Sequence, residues 1–342
     1  MDNALIEEMQ ALPLWKDYRP TPLVDLPRLA RHLDVGRVFV KVESERPLGN
    51  FKVLGGVLAS MRVIARAVGA TAIRDVVADA PVPSRPGLLC ASDGNHGMAV
   101  ALAARMAGTT AAIHLPVAVS RDRSARIEAL GGRVVRVDGT YDDAVAQAAA
   151  AAARGEGLLV PDTTADSSDV VVRDVMAGYA LLSHELIAQL AERQEQASHL
   201  FIQAGVGGLA ASMVQGLHAH LRAPRKAVIV EPESAACVAR ALECGHPVRL
   251  DGGLETAAEM LSCGLASAPA VEILRRYAVE SVLVDDARLL GAVDALRERG
   301  GPRSTPSGAA GLAGLMAVSG DRAWRRRHAL GPDSTVLIVA TE

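Results

Sequence analysis

A lysine and two glycine-containing turns are the residues of this chain whose types and spacing are best suited to chemistry. Residues 49–52 (GNFK) follow a β-branched run and open a stretch with helical periodicity. At the N-terminus of a helix, Lys52 faces partial positive charge, which favours its neutral amine. A neutral amine is the nucleophile that forms a Schiff base. Taken alone, this signal favours an exposed surface lysine.

Two other turns have the same strand-to-helix setting. Residues 92–97 (SDGNHG) contain Asp93 and Asn95, which are ordinary helix-capping types. They also suit a loop that faces a ligand, because open α/β sheets bind ligands at the C-terminal ends of their strands. In residues 205–208 (GVGG), backbone amides at a helix N-terminus can converge on a phosphate. That loop lacks the Lys-Ser/Thr ending of a nucleotide P-loop, and a purely structural tight turn stays open.

For several other polar residues, the sequence is compatible with both a role in the site and a structural role. A structural role is favoured for His96, and an ordinary turn role for Asp162. Arg46 and Arg303 suit either a grip on a substrate carboxylate or surface charges, and the surface is favoured for Arg303. Glu259 fits equally a site carboxylate and a buried group paired with a backbone amide.

The elements that must position these residues alternate between strands and helices. The predicted strands are Val38–Val42, Leu88–Ala91, Thr110–Leu115, Arg133–Val137, His199–Gln203, Ala227–Val230, Ser281–Val284 and Thr335–Ala340. The predicted helices are Gly56–Val68, His96–Ala107, Arg121–Leu130, Tyr141–Ala153, Asp169–Ala191, Leu209–Leu221, Ser234–Cys244 and Ala287–Arg299. Such alternation predicts an α/β fold with parallel sheets covered by helices.

Breaks in this alternation divide the chain into two predicted domains. Residues 74–87 hold three prolines and read as a loop or hinge, and a second break lies near 161–168. The segment between the breaks carries its own strand–helix units. We therefore expect a large α/β domain of residues 1–79 plus 161–342, and a smaller one of residues 80–160.

Composition excludes several classes of function. Half of the 342 residues are hydrophobic, and the net charge of −3 offers no basic field for a nucleic acid. No apolar run approaches the length of a membrane span, and the N-terminus does not read as a signal peptide. The four cysteines match no metal site and read as reduced thiols. The composition predicts a cytoplasmic protein that binds neither nucleic acid nor membrane.

The order and setting of these motifs resemble one family, the fold-type II pyridoxal-5′-phosphate (PLP) enzymes, and within them the diaminopropionate ammonia-lyases. The resemblance runs from Thr21 to Thr341. DGNHG and QAGVGG, each between a strand and a helix, are its most specific motifs. The matching stretches are 41–56, 93–97, 162–163, 178–179, 203–208, 231–232, 236–237, 263–264, 307–309 and 341–342.

The resemblance implies a role for each matching residue and places the cofactor in a cleft between two open parallel-sheet domains. Lys52 corresponds to the Schiff-base lysine, Asp93 and Asp162 to the carboxylates that handle substrate protons, and Asn95 to the contact with the ring oxygen. Thr341 would meet the pyridine nitrogen. The remaining cofactor-binding residues are Phe51 and the phosphate loop Gly205, Val206, Gly207, Gly208 and Leu209.

The implied reaction is β-elimination from a small amino acid, most simply 2,3-diaminopropionate to pyruvate and ammonia through an aminoacrylate. PLP acts as an electron sink, and a hydroxyl at its ring nitrogen suits elimination better than transamination. A serine or threonine dehydratase, or a β-replacement enzyme on the same scaffold, is the main alternative. A PLP-binding protein without turnover is a remote one, which the intact Lys52, Asp93 and Asp162 disfavour. The resemblance also implies a homodimer.

The chain departs from the ammonia-lyase pattern at three places that bear on substrate choice. The segment from Arg46 to Lys52 reads RPLGNFK, one residue shorter than is usual. Residues 256–264 read TAAEMLSCG, in which Glu259 is an added carboxylate. Thr305 and Pro306 replace a glutamate before Ser307. These differences leave the cofactor prediction unchanged and affect the substrate prediction.

Overall fold

The computed structural model describes residues 3–92 and 94–342, so Asp93 lies outside the described residues. The strands in this part are β1 Leu23–Asp25, β2 Arg37–Val42, β3 Leu88–Ala91, β4 Ala111–Pro116, β5 Gly132–Val137, β6 Leu158–Leu159, β7 His199–Gln203, β8 Lys226–Pro232, β9 Glu280–Val284 and β10 Thr335–Ala340. The helices are α1 Asn3–Gln10, α2 Pro27–His32, α3 Lys52–Val68, α4 Asn95–Met106, α5 Arg121–Ala129, α6 Tyr141–Ala153, α7 Val170–Gly178, α8 Ala180–Glu192, α9 Gly208–Leu217, α10 Cys237–Cys244, α11 Ala268–Arg276, α12 Asp286–Glu298, α13 Ala310–Ser319 and α14 Arg322–Arg327.

These strands form two sheets, and the predicted α/β class with parallel sheets is confirmed. The larger sheet has the order β1-β2-β10-β7-β8-β9, and the smaller one has the order β5-β4-β3-β6. Every pair is parallel except β1 with β2. Strands β7 and β10 are buried along their whole length, as expected for parallel strands covered on both faces.

Cα packing divides the chain into two compact units. The first comprises residues 1–19, 52–164 and 168–181 and contains the smaller sheet; the second comprises residues 20–51, 165–167 and 182–342 and contains the larger sheet. The helix that Lys52 opens thus packs with the smaller sheet, although the predicted domain bounds grouped it with the larger one. Those bounds, 1–79 plus 161–342 and 80–160, stay a prediction.

Each unit has its own apolar core. In the second unit, Val38, Phe201, Val228 and Ile338 from neighbouring strands pack with helical side chains such as Leu312. In the first unit, alanines of α6 pack on β3 to β5. Within the described residues, no helix is both long and apolar enough to cross a membrane.

The structure differs from the predicted elements mainly where elements are short or uniformly apolar. The predicted helix Asp169–Ala191 is two helices, α7 and α8, interrupted at Tyr179. Strands β1 and β6 are too short to show a period of two, and α13 is apolar on nearly all sides. Periodicity therefore carried no signal for these elements.

The start of α3 is held close to α7 by two glycines. A Cβ atom built on Gly178 would lie 2.5 Å from the carbonyl oxygen of Leu54 and 2.7 Å from Cα of Gly55. Only hydrogen at these positions allows the two helix backbones to approach so closely. This contact fixes the first turn of α3, on which Lys52 lies.

We expect Gly178→Ala to destabilise the protein by about 1–3 kcal/mol, because the methyl group would force α3 and α7 apart. The control is Gly291→Ala in α12, where a Cβ meets nothing within 4 Å. Gly291→Ala should stabilise by up to about 1 kcal/mol, since alanine has the higher helix propensity. Urea unfolding of the two variants checks the opposite signs. Equal effects would mean that the helix contact is not tight.

Candidate active site

Lys52 and Asp162 form the centre of a polar site in the first unit. Lys52 is the first residue of α3, and its Nζ lies 2.6 Å from Oδ2 of Asp162. The lysine side chain is 23% exposed and the aspartate side chain 8%. An amine at the edge of solvent, paired with a nearly buried carboxylate, is placed to exchange a proton across this contact.

Asp162 is held in its ionised form by its neighbours. Burial is the largest single influence on its pKa and acts to raise it. The positive charge of Lys52, the neighbouring His96 and the hydrogen bonds from Lys52 and Tyr141 together outweigh burial, and the pKa lies well below the usual range. The hydroxyl of Tyr141 donates a second hydrogen bond, of 2.6 Å, to Oδ1 of Asp162. Both carboxylate oxygens are therefore engaged, one by Lys52 and the other by Tyr141.

Buried side chains surround this pair within the first unit. The ring of His96 donates from Nε2 to the carbonyl oxygen of Val160, at 2.8 Å, two residues before Asp162. Burial lowers the pKa of His96, so the ring is neutral near pH 7, in agreement with the structural role that was favoured. Burial also raises the pKa of Tyr179 to about 12, which keeps its proton in place.

The turn before α4 carries Asn95, and Asp93 of the same turn lies outside the described residues. Asn95 is the first residue of α4. The hydroxyl oxygen of Ser92 accepts hydrogen bonds from the backbone N–H groups of Gly94 (2.9 Å) and Gly97 (2.8 Å). Ser92 thereby fixes the path of the described residues of this turn.

The glycine-rich turn in the second unit has the features of an anion site. It connects β7 to α9, and Gly207 adopts a left-handed conformation with φ of 95° immediately before the helix. Among the described residues, no side chain caps the α9 N-terminus from this position. A Cβ on Gly205 would lie 3.1 Å from Sγ of Cys263, so a larger residue there would press against that sulfur. The first N–H groups of a helix have no partner within it and carry partial positive charge.

Thr341 and Phe51 also lie in the second unit and are joined by their backbones. Thr341 is 5% exposed and directly follows β10. The N–H of Phe51 donates to the carbonyl oxygen of Thr341 over 3.4 Å. The hydroxyl oxygen of Thr341 accepts a hydrogen bond from Nε2 of Gln203 at 3.1 Å.

Arg46 belongs to a buried cluster of charges, so both interpretations offered for it, substrate grip and surface charge, are wrong. Its guanidinium donates to both carboxylate oxygens of Glu43 (2.9 and 2.7 Å) and to both of Glu185 (2.6 and 2.8 Å). Lys41 also contacts Glu185, at 2.5 Å. Burial acts to raise the pKa of Glu185, but its hydrogen bonds to Arg46 and the two positive charges lower it overall.

Two other candidates lie at the surface. Arg303 is exposed, as was favoured, and Glu259 is exposed too, so a buried Glu259 paired with a backbone amide is wrong. None of the four cysteines, all of them in the described part of the chain, forms a disulfide.

Glu231 is a buried carboxylate near the glycine-rich turn. The only sequence signal for it was its place in the matching stretch 231–232. Glu231, on β8, accepts hydrogen bonds from the N–H groups of Val238 (2.7 Å) and Ala239 (2.8 Å), at the start of α10. Cys237 of the same helix donates to the carbonyl oxygen of Gly205 at 3.3 Å. Glu231 is fully buried, and burial raises its pKa to about 8.

Tyr141 is the site residue that sequence reasoning missed. It appeared there only as the beginning of the predicted helix Tyr141–Ala153. The local sequence around Thr140 and Asp143 signals a capping box, which the structure contains. Nothing in that pattern indicates that the tyrosine hydroxyl reaches Asp162, which is 21 residues away along the chain.

Comparison with known proteins extends over nearly the whole chain. Residues 14–342 match the family model described as pyridoxal-phosphate dependent enzyme. Diaminopropionate ammonia-lyase of Escherichia coli (strain K12) is 32% identical over 342 residues, which cover 95% of this chain and 84% of that protein. The sequence similarity therefore extends over nearly the whole chain rather than over isolated residues.

Solved structures of the same Escherichia coli enzyme also match. One, in complex with an aminoacrylate-PLP azomethine reaction intermediate, has a TM-score of 0.86 and 30% identity. Another, in complex with D-serine, has a TM-score of 0.88 and 29% identity. Each covers 99% of this chain and 88% of the solved chain.

We expect Glu231 to make the stability of the protein fall as the pH rises. Its folded-state pKa of about 8 lies above the ordinary glutamate pKa of 4.5. Its stabilising contribution is therefore complete below about pH 4.5 and is lost as the pH passes through about 8. The expected loss is on the order of a few kcal/mol, seen as a falling free energy of unfolding between pH 5 and roughly pH 9.

Urea unfolding of Glu231→Gln across this pH range checks the expectation, because the amide does not titrate and the slope should flatten. Glu233→Gln, two residues along at an exposed position, is the control and should keep the wild-type slope. Parallel curves for wild type and Glu231→Gln would show that Glu231 is ionised throughout.

Proposed function

This chain belongs to the pyridoxal-phosphate dependent enzymes of fold type II, and from that membership we propose that it is a carbon–nitrogen lyase acting on 2,3-diaminopropionate. One substrate molecule and one water would give pyruvate and two ammonia molecules. The observation that carries the proposal is the Lys52–Asp162–Tyr141 arrangement. It combines an amine at a helix start with a buried, ionised carboxylate 2.6 Å away.

The residues of this chain fit the cofactor that the family implies. The Gly205–Leu209 turn offers backbone N–H groups at the start of α9, where a phosphate is stabilised. We propose that Lys52 holds the cofactor through Nζ, that Asn95 bonds its ring oxygen, and that Phe51 lies against it. Thr341 would direct its hydroxyl at the ring nitrogen. Pyridoxal phosphate, when bound, supplies an electron sink that stabilises negative charge at the substrate Cα.

Lys52 and the two aspartates would move the protons of the reaction. Once released from the cofactor, Lys52 is a base for the proton on Cα of the substrate. An amine leaves poorly unless it is protonated, so an acid must deliver a proton to the β-amine. We assign that proton to Asp93 or Asp162, and we propose Asp93 as the base for the opposite enantiomer.

The charge of Lys52 controls whether Asp162 can act as an acid. With Lys52 charged, Asp162 is held as a carboxylate, because that charge and the hydrogen bonds to Asp162 together outweigh the effect of burial. When Lys52 is neutral, the main opposing influence is removed and burial raises the pKa of Asp162. Asp162 can then carry a proton at Oδ2, oriented by the Tyr141 hydroxyl at Oδ1. The pair would thus hold one proton and pass it between Nζ and Oδ2.

Dehydration of D-serine is a second candidate reaction. The solved structure of the similar Escherichia coli enzyme in complex with D-serine supports it, because that enzyme binds a small hydroxyl amino acid. A β-hydroxyl group leaves as water and a β-amino group leaves as ammonia, each only after it accepts a proton, so the same acid would serve both reactions.

The protein's surroundings and assembly are also part of the proposal. The absence of disulfides among its four cysteines agrees with a reducing compartment, and we propose the cytoplasm. We propose a homodimer from the family resemblance.

The PLP-loaded protein is expected to release pyruvate from 2,3-diaminopropionate. Pyruvate is measured with a coupled dehydrogenase, separately for the L and D enantiomers and for D-serine. Asp162→Asn should lower the rate by about 10²-fold or more, the scale of general acid–base catalysis, and Asp93→Asn should do so for at least one enantiomer. Wild-type rates in both variants would contradict the assigned roles.

Lys52→Ala should abolish both activity and the visible absorption band of the bound cofactor, since no other amine would replace Nζ. Lys16→Ala, at an exposed position of the same unit, is the matched control and should keep both. An intact band without pyruvate in the wild type would leave cofactor binding in place and contradict the proposed substrate.

Light scattering on the purified protein is expected to give twice the mass of the chain. A mass equal to one chain across a range of protein concentrations would contradict the homodimer.

A further inference from the structure

Gln203 is a buried polar residue that none of the roles above uses. It is the last residue of β7 and is 3% exposed. Strands β7 and β10 are parallel neighbours, with Ile338 opposite Phe201. Continued by two residues, this register places Gln203 beside the end of β10, where the chain leads into Thr341.

The side-chain nitrogen of Gln203 lies among four oxygen atoms. Nε2 is 3.0 Å from the carbonyl oxygen of Gly308, 3.0 Å from that of Val339 and 3.3 Å from that of Ser307. It is 3.1 Å from Oγ1 of Thr341. Since carbonyl oxygens only accept, the amide must present its nitrogen to this group, and a flipped amide would oppose oxygen to oxygen.

The oxygen atom of the same amide, Oε1, lies in a less favourable environment than the nitrogen. Oε1 of Gln203 is buried and has no hydrogen-bond partner among the described residues. A Cβ on Gly311 would lie only 3.0 Å from it, so the neighbouring helix leaves no room for a side chain there. Because a buried acceptor without a partner is unfavourable, the donor contacts of Nε2 must maintain the arrangement.

The direction of the bond to Thr341 has a chemical consequence. An amide NH₂ group only donates, so Oγ1 of Thr341 accepts in this contact. A hydroxyl carries one hydrogen, which must then point away from Gln203. Within the described residues, the Thr341 hydroxyl makes this one side-chain hydrogen bond, and its own hydrogen meets no protein acceptor there.

We propose that Gln203 is a positioning residue that turns the Thr341 hydroxyl into an obligate donor, directed at the unprotonated ring nitrogen of the cofactor. This inference rests on the cofactor role proposed for Thr341 and not on the identity of the substrate. A ring nitrogen that accepts from a hydroxyl stays neutral. Gln203 would thereby set the protonation state of the ring without touching it.

A double-mutant cycle on cofactor affinity tests the proposal. Gln203→Met keeps the size of the side chain and removes its donors, and Thr341→Val removes the hydroxyl. We expect Gln203→Met to weaken PLP binding by about 3- to 10-fold when Thr341 is present, the effect of one hydrogen bond. In the Thr341→Val background the same change should cost less than about 2-fold. Equal losses in both backgrounds would overturn the proposal.

Gln196→Met is the control. Gln196 is a glutamine of the same unit, and its Nε2 donates to the carbonyl oxygen of His220 at 2.9 Å. Its replacement should leave the PLP affinity within about 2-fold of wild type, since it removes a glutamine hydrogen bond of similar length without altering Thr341. If the control variant loses as much PLP affinity as Gln203→Met, the loss in Gln203→Met reflects a general loosening of the unit and the proposal is contradicted.

A measurement on the unmutated protein keeps the proposal testable if Gln203→Met does not fold. With ¹⁵N-labelled PLP, the ring nitrogen of the bound cofactor should give the NMR shift of an unprotonated pyridine between pH 6 and 9. A pyridinium shift in this range would overturn the proposal while leaving the lyase activity to its own assay. Failure of the wild type to bind PLP would contradict both.

Discussion

The segment that leads to Lys52 is anchored by a set of four buried charges that neutralise one another. Lys41 and Arg46 are paired with Glu43 and Glu185, and all four side chains are almost fully withdrawn from water. Removing a charge from water is costly, so such a set persists only when each member has partners in good geometry. Arg46 binds both carboxylates through two bonds each, which fixes the position of the chain six residues before Lys52. The contacts of these four side chains therefore hold the segment from Lys41 to Arg46 firmly within the second unit.

A second constraint acts from the other side of Lys52. Gly178 and Gly55 let α7 and α3 approach without intervening side chains, so that the first turn of α3 cannot shift sideways. Lys52 then meets Asp162 at hydrogen-bond distance. The pKa of Asp162 depends on the charge of Lys52 and therefore on the distance between the two groups. Because the close approach of α3 and α7 fixes the position of Lys52, it also affects this pKa. A small displacement of α3 would weaken that coupling and change which of the two groups holds the proton.

Sequence patterns predicted the architecture well and the polar contacts poorly. Alternating strands and helices indicated the parallel sheets, because burial on both faces leaves a local mark in β7 and β10. The local sequence likewise predicted that Lys52 lies at the start of a helix. The partners of Arg46 were not predictable, since Glu185 is 139 residues away along the chain. The contacts of Tyr141 with Asp162 and of Gln203 with Thr341 also depend on the tertiary fold. The type of a residue and its local sequence pattern do not reveal such distant partners.

The position of β10 in the larger sheet affects how this protein can be made. It is the last of the ten described strands along the chain, yet it lies between β2 and β7 and pairs with both. During synthesis, β2 and β7 leave the ribosome long before the strand that joins them. Until Thr335–Ala340 emerges, two apolar strand edges face the cellular medium, and such edges invite pairing with other chains. A nascent chain arrested before residue 335 would therefore depend on chaperones to remain unaggregated.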